Sequence, residues 1–354
     1  PCPYDPGDTV TLAQVQEETI ACKVESLLGE GATSTVFKVT SGDKIRALKV
    51  FKAENSLEDL CTEASLMLTA NHPHSHPNVL RADFVWYEQR THEMFFLLEL
   101  ADGGDLQAWL DDERLYAGTE EEQQARLITI TDQIASGQRH LHQLGILHED
   151  NKPENVLMTV EGKPLLADLG VANQGTIEGG RVRATLRGGT PVYASPNVRR
   201  LFFKAKALPV TQRAEFLRQH LITHLDDFFA LGATILDMYA ECGWRRGQSV
   251  ADMLASAGDV ARLVQDVKLR VEVPEAMIEV LQACFGADEV LTVDSVVALT
   301  SELSADTTPA EAEGMAAMRS VCIRNNLAVA LYDNGVRKRE RGEKGAAVHC
   351  FHEA

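Results

Sequence analysis

Alternating apolar and polar positions predict short strands over residues 24–28, 35–39, 45–51, 84–87 and 94–98. The first two flank Gly29-Glu30-Gly31-Ala32-Thr33-Ser34. A β-branched run, not a helix, follows this turn, so it joins two antiparallel strands. From Ser56 the period changes. Leu57, Leu60, Cys61, Ala64, Met67 and Leu68 recur at helical spacing, and Ser56 with Asp59 forms a capping pair. Leu127, Ile130, Ile134 and Leu141 give residues 120–144 a buried helical face, and Asp227 opens a helix apolar on nearly every side. Residues 250–303 supply further amphipathic helices. Residues 198–225, basic at first (Arg199, Arg200, Lys204, Lys206) and then helical, read as a solvated insertion. The polar residues 1–20 read as an extension outside the core. From Ser304 an Ala- and Glu-rich stretch and then a basic run over 336–344 read as a solvated tail.

At 354 residues the chain exceeds the usual size of a single core, which predicts two lobes or domains. A hydrophobic content of 45% with 24% charged residues describes a soluble globular protein, and no apolar run is long enough to cross a bilayer. The net charge of −18 argues against a general nucleic-acid-binding surface and leaves basic peptides as partners. The seven cysteines form no CxxC pair; Cys61 and Cys284, in apolar helical patterns, read as buried thiols. The His-rich run from His72 to Pro77 contains two prolines and no completing ligands, so it reads as a loop before a strand. The start, Pro-Cys-Pro-Tyr-Asp-Pro, has no initiator Met, which leaves a cytoplasmic protein or a secreted effector with a trimmed targeting segment.

The chemistry concentrates between Ile146 and Gly170. Asp150, Lys152, Asn155 and Asp168 stand in an apolar frame of Ile146, Leu147, Val156, Leu157, Met158, Leu165 and Leu166, the pattern of a polar loop, a short hairpin and a second loop. A carboxylate to orient a hydroxyl, a Lys near a moving phosphoryl group, and Asn and Asp oxygens for Mg²⁺ are the equipment of phosphoryl transfer.

His148-Glu149-Asp150, Asn151-Lys152-Pro153-Glu154-Asn155 and Asp168-Leu169-Gly170 resemble the catalytic and metal-binding loops of eukaryotic protein kinases, and Lys152 marks the Ser/Thr type. The resemblance covers residues 22–303. It implies an α+β, bilobal protein kinase fold: an N-lobe (22–100) with a five-stranded antiparallel sheet and helix C, a mainly helical C-lobe (101–303), and extensions over 1–21 and 304–354. ATP and Mg²⁺ are the implied cofactors, and Ser/Thr hydroxyls of protein substrates the acceptors.

By the same resemblance Gly29, Glu30, Gly31 and Ser34 belong to the loop over the ATP phosphates, Ser34 replacing its third glycine. Lys49 would meet the α- and β-phosphates and Glu63, preferred to Glu58, would hold it. Glu99 and Ala101 frame the adenine hinge behind Leu98, Asp105 would meet the ribose, and Val36, Ala47 and Leu157 complete the nucleotide site. Asp150 would orient the hydroxyl and Lys152 neutralise γ-phosphate charge. Asn155 and Asp168 would hold Mg²⁺, and Thr190 would touch both Asp150 and Lys152. Asp227 would anchor the catalytic-loop backbone. Residues 171–194, with Thr176, Thr185, Thr190, Arg181, Arg183 and Arg187, correspond to the activation segment, read as a loop.

Three departures stand out. Glu149 replaces the usual Arg of the catalytic motif and would repel an activation-segment phosphate, which implies activity that does not rely on that switch. Leu169 replaces a Phe. Ser195-Pro196-Asn197 lacks the usual Glu, and no Arg partner is evident near 288–293. Glu149, this altered motif, the long 198–225 segment and the extensions look like the secreted rhoptry-type kinases of apicomplexan parasites. A pseudokinase acting as a nucleotide-binding or scaffolding module is the alternative, although all four essential positions are filled.

Overall fold

The computed structural model describes residues 3–15, 18–52, 54–72, 75–89, 91–178, 181–240 and 249–286. These gather into two compact units, one formed by residues up to 75 with 80–101, the other by 76–79 with the residues from 102 onward. Residues 288–293, the stretch from Ser304 and the basic run at 336–344 lie outside the described residues.

The first unit is an antiparallel sheet with one helix. Its strands are β1 (Thr9–Val15), β2 (Glu18–Glu30), β3 (Ser34–Ser41), β4 (Lys44–Phe51), β5 (Ala82–Glu88) and β6 (Glu93–Glu99), ordered β1-β2-β3-β4-β6-β5. The five expected strands are β2 to β6. Strand β1 is additional, and it corrects the reading of residues 9–15 as lying outside the core. Val10 and Leu12, alternating with threonines, bury their side chains, and Val10 pairs with Cys22 of β2. Helix α1 (Leu57–Asn71) starts where expected, the Ser56 hydroxyl accepting from the Asp59 N–H at 3.4 Å. Its stripe of Leu60, Cys61, Ala64, Met67 and Leu68 is buried, as is Glu63.

The second unit is mainly helical. Helix α2 (Leu106–Asp111) leads to α3 (Glu120–Gln143), whose N-terminus carries a capping box between Thr119 and Glu122. Strand β7 (Ile146–Leu147) and the hairpin of β8 (Val156–Met158) and β9 (Pro164–Leu166) flank the polar loop, matching the loop–hairpin–loop pattern. The Asn78 side chain donates to the Pro164 carbonyl at 2.9 Å and fixes that hairpin.

Residues 171–194 are more ordered than a loop. They contain β10 (Asn173–Gln174), β11 (Thr176–Glu178) and β12 (Arg181–Thr185). Helices α4 (Pro196–Lys206) and α5 (Val210–Arg218) follow, then β13 (Leu221–Thr223), which closes a three-stranded sheet β11-β12-β13. The reason is apolar alternation: Val182, Ala184 and Leu186 point into a core with Ile222, Val198, Leu201 and Leu217. The basic stretch at 199–206 is therefore helical from its start, and the 198–225 segment is partly core.

Helix α6 (His224–Tyr239) is buried along nearly its whole length, as an all-round apolar helix must be. It packs against α9 (Glu275–Phe285), which follows α7 (Val250–Ala257) and α8 (Val260–Asp266). Cys22, Cys61 and Cys284 are buried thiols. No helix among the described residues is long and apolar enough to cross a membrane.

Candidate active site

In the first unit the glycine turn joins β2 to β3 in antiparallel register, Gly29 opposite Val36 and Glu30 opposite Thr35. The Gly31 N–H donates to the Ser34 carbonyl at 2.8 Å and closes the turn. Two residues that sequence reasoning passed over hold it from below. The Lys52 ammonium donates to the Gly31 carbonyl at 2.8 Å and meets Glu30 at 3.1 Å, and the Asn55 amide donates to the Thr33 carbonyl at 2.6 Å. The register supplies the missed signal: Ser34 lies opposite Phe51, so the chain leaving β4 must pass the turn.

Strand β4 sets Lys49 between Val36 and Phe96, and Ala47 between Lys38 and Leu98. The Lys49 Nζ meets Glu63 Oε1 at 2.7 Å and lies 4.7 Å from the Phe51 ring centroid. Both members of the pair are largely buried, whereas Glu58 is exposed. A desolvated ammonium keeps its charge only beside such a partner, and removing one member of a buried pair costs about 3–5 kcal/mol. At the end of β6 the Glu99 N–H is committed to the Arg81 carbonyl at 2.9 Å, and its carboxylate accepts from the Arg81 N–H at 2.7 Å. Ala101 follows it, half-buried.

In the second unit Asp105 caps α2, accepting from the Ala108 N–H at 2.7 Å, and bridges to Leu157 of β8. One carboxylate oxygen is thus already engaged in holding the helix. The loop after β7 is organised by Asp227, near the start of α6, as expected. Its carboxylate accepts from the His148 N–H at 2.7 Å, the Glu149 N–H at 2.8 Å and His142 Nε2 at 2.9 Å. Burial pushes the Asp227 carboxyl up, but the hydrogen bond from His142 and the neighbouring histidines outweigh it and hold it below the ordinary range. Burial pushes the adjacent Asp226 up instead. His142 was not singled out in the sequence, where a His in the last turn of α3 carries no distinguishing pattern.

Asp150, Lys152, Asn155 and Thr190 converge. Asp150 Oδ2 meets the Lys152 ammonium at 2.8 Å and accepts from the Asn155 amide at 3.0 Å. The same amide donates to the Asp150 carbonyl at 2.8 Å, which turns the Asn155 oxygen away from Asp150. The Lys152 ammonium also donates to the Thr190 hydroxyl at 2.9 Å. Thr190 therefore reaches the Asp150 carboxylate through Lys152. Asp150 Oδ1 is buried and accepts no hydrogen bond among the described residues. Asp168 is exposed and holds φ at +63°, a left-handed conformation costly for a non-glycine residue. The preceding Ala167 is tied to the loop by its N–H on the Asn155 carbonyl at 2.9 Å and its carbonyl on His148 Nε2 at 2.9 Å. The Asn155 amide oxygen and the Asp168 carboxylate are hard oxygen donors of the kind Mg²⁺ prefers.

Glu149 is the departure that changes most. Its carboxylate Oε2 accepts from the Arg187 N–H at 2.7 Å and the Gly188 N–H at 3.3 Å. Burial pushes this carboxyl well above the ordinary range, against the pull of the Arg187 N–H. Oε1 accepts no hydrogen bond among the described residues. Ser195, of the altered motif, caps α4 and donates its hydroxyl to Asp226 at 2.6 Å, so the motif is closed without the missing Glu.

The protein kinase domain family model matches residues 22–290. Human rhodopsin kinase GRK7 is 32% identical over 154 residues, 44% of this chain and 23% of that protein. Mouse calcium/calmodulin-dependent protein kinase type IV is 35% identical over 183 residues, 50% of this chain and 36% of that protein. Arabidopsis thaliana serine/threonine-protein kinase AtPK2/AtPK19 is 29% identical over 183 residues, again 50% and 36%. The aligned part thus spans about a quarter to a third of these relatives. With the family model covering most of the chain, and with the α+β fold and the loops above in place, the chain belongs to the protein kinase domain family.

Proposed function

We propose that the chain is an ATP-dependent, Mg²⁺-dependent protein kinase that phosphorylates Ser and Thr hydroxyls of protein substrates. The observation that carries the reading is the convergence of Asp150, Lys152, Asn155 and Thr190, with one Asp150 oxygen accepting no hydrogen bond among the described residues. Asp150 orients the substrate hydroxyl and takes up its proton; Lys152 balances charge developing on the γ-phosphoryl group. Lys49, held by Glu63, engages the α- and β-phosphates. Gly29, Glu30, Gly31 and Ser34 form the loop that covers the phosphates. Val36, Ala47, Glu99, Ala101, Asp105 and Leu157 serve adenine and ribose. Asn155 and Asp168 would hold Mg²⁺, which would neutralise phosphate charge there. The net charge of −18 favours basic substrates. The finer placement among rhoptry-type kinases rests on Glu149, Ser195-Pro196-Asn197, the 198–225 segment and the extensions.

The test is thermal stabilisation by Mg²⁺-ATP beside γ-phosphoryl transfer to a generic basic protein. Asp150→Ala should lower transfer by about 10³-fold, the scale of a positioned acid–base group, and Asp168→Ala should abolish most of it by removing a Mg²⁺ ligand. Nucleotide binding without transfer in the parent chain would sink the catalytic reading and leave a scaffolding pseudokinase.

A further inference from the structure

We infer that Glu149 is a positioning residue that fastens residues 187–190 to the catalytic loop through its own carboxylate, doing within the unmodified chain what an arginine–phosphate pair would otherwise do. The inference rests on the kinase reading and deepens it by naming how its substrate-facing segment is held.

The geometry is specific. Oε2 collects the Arg187 and Gly188 N–H groups, at 2.7 and 3.3 Å, and after Gly189 comes Thr190, whose hydroxyl accepts from Lys152 at 2.9 Å. Glu149 thus adjoins Asp150 in the chain and holds the amides three and two residues before Thr190. The next residue, Gly189, has φ +125°, and a Cβ there would stand 2.5 Å from the Glu149 carbonyl oxygen. Backbone meets backbone at this point, and only glycine fits.

Glu149 is itself fixed. Its N–H donates to Asp227 at 2.8 Å and its φ is +65°. An acceptor placed here takes the main-chain donors of residues 187 and 188, not their side chains.

The rest of the segment is held without any modification. Asn173 donates to the Thr185 carbonyl at 2.9 Å and to its hydroxyl at 2.8 Å, engaging that hydroxyl internally. The Leu186 N–H donates to the His220 carbonyl at 2.9 Å, continuing the pairing of β12 with β13. The Arg187 guanidinium donates to the Ala172 carbonyl at 3.0 Å. An added phosphate near Glu149 would meet a carboxylate whose Oε2 is already occupied by donors.

The experiment compares the full chain, shown by mass spectrometry to be phosphate-free, with E149A and E149Q. It reads hydrogen exchange at residues 187–188, peptide kcat and KM, and ATP affinity. E149A should speed exchange there at least tenfold and lower peptide kcat/KM about tenfold, with ATP affinity within twofold of the parent. E149Q keeps an acceptor oxygen and should recover most of both the protection and the turnover. The proposal is overturned if E149A keeps the parent's protection, if E149Q falls as far as E149A, or if the phosphate-free parent is inactive while its phosphorylated form transfers. Should E149A not fold, the parent decides: Arg187 and Gly188 amides exchanging as fast as that of Gly31 would overturn it. A parent that transfers nothing in any state of phosphorylation would strike the kinase reading alone, and exchange would still judge the clamp.

Discussion

The glycine turn of the first unit and the segment from residue 171 to 190 in the second both hold backbone in fixed shapes, by opposite means. The turn is exposed from Gly29 to Thr33, and its supports, Lys52 and Asn55, stand close to solvent. Hydrogen bonds and ion pairs of that kind are exchanged for water at little cost, about 0–1 kcal/mol each. The segment is held by a buried carboxylate, a three-stranded sheet and an apolar core. Opening it strands buried donors and exposes Val182, Ala184 and Leu186, so its local free energy of opening lies nearer that of the whole unit. The difference teaches that a glycine turn can remain adaptable while the segment from residue 171 to 190 is pre-ordered by burial.

The largest test of this contrast is Asp227→Ala. It strands the His148 and Glu149 N–H groups and His142 together, and should lower stability by about 3–5 kcal/mol in urea unfolding. A loss below about 1 kcal/mol would show that the order of the second region does not come from this carboxylate. Gly189→Ala is next. A Cβ forced against the Glu149 carbonyl at positive φ costs about 1–3 kcal/mol locally, so peptide kcat/KM should fall about tenfold while ATP affinity holds. Equal losses in both would mean the strain spreads beyond the segment.

A pH series sharpens the comparison further. Because burial raises the Glu149 carboxyl in the folded chain, folding favours its protonated form. That contribution to stability is complete below the ordinary glutamate range and is lost as pH rises through the raised value. E149Q removes the titration, so its melting temperature relative to the parent should be higher at pH 8 than at pH 5. A gap that stays constant with pH would refute the buried titration. The smallest effect belongs to the turn: Lys52→Ala should shift the melting temperature by less than about 2 °C and ATP affinity by only a few-fold. A large loss of stability there would erase the distinction between the two regions.

Much of this molecule was legible in the chain. Strands β2 to β6, α1 with its Ser56 cap, α3 and the buried α6 follow from periodicity, because each buries one face or all of it. Glu63 was placed opposite Lys49 by family spacing, and the 2.7 Å ion pair agrees with that placement. Strand β1 and the β11-β12-β13 sheet were missed although Val10 and Leu12, and Val182 and Ala184, alternate as strands do. Prolines near the start, and arginines between the apolar positions of β12, masked the pattern.

The sequence by itself determined the local strands and helices and the order of the motifs, since these depend on period and spacing, and the fold class followed from the family resemblance those motifs carry. Only the tertiary structure decided what Glu149 does. Read along the chain, it is a lost arginine and a repulsive charge. Folded, it lies against two amides 38 and 39 residues away, where an acceptor is what the backbone lacks. Donors and acceptors so far apart in sequence leave no periodic trace, and burial alone sets the worth of their bond.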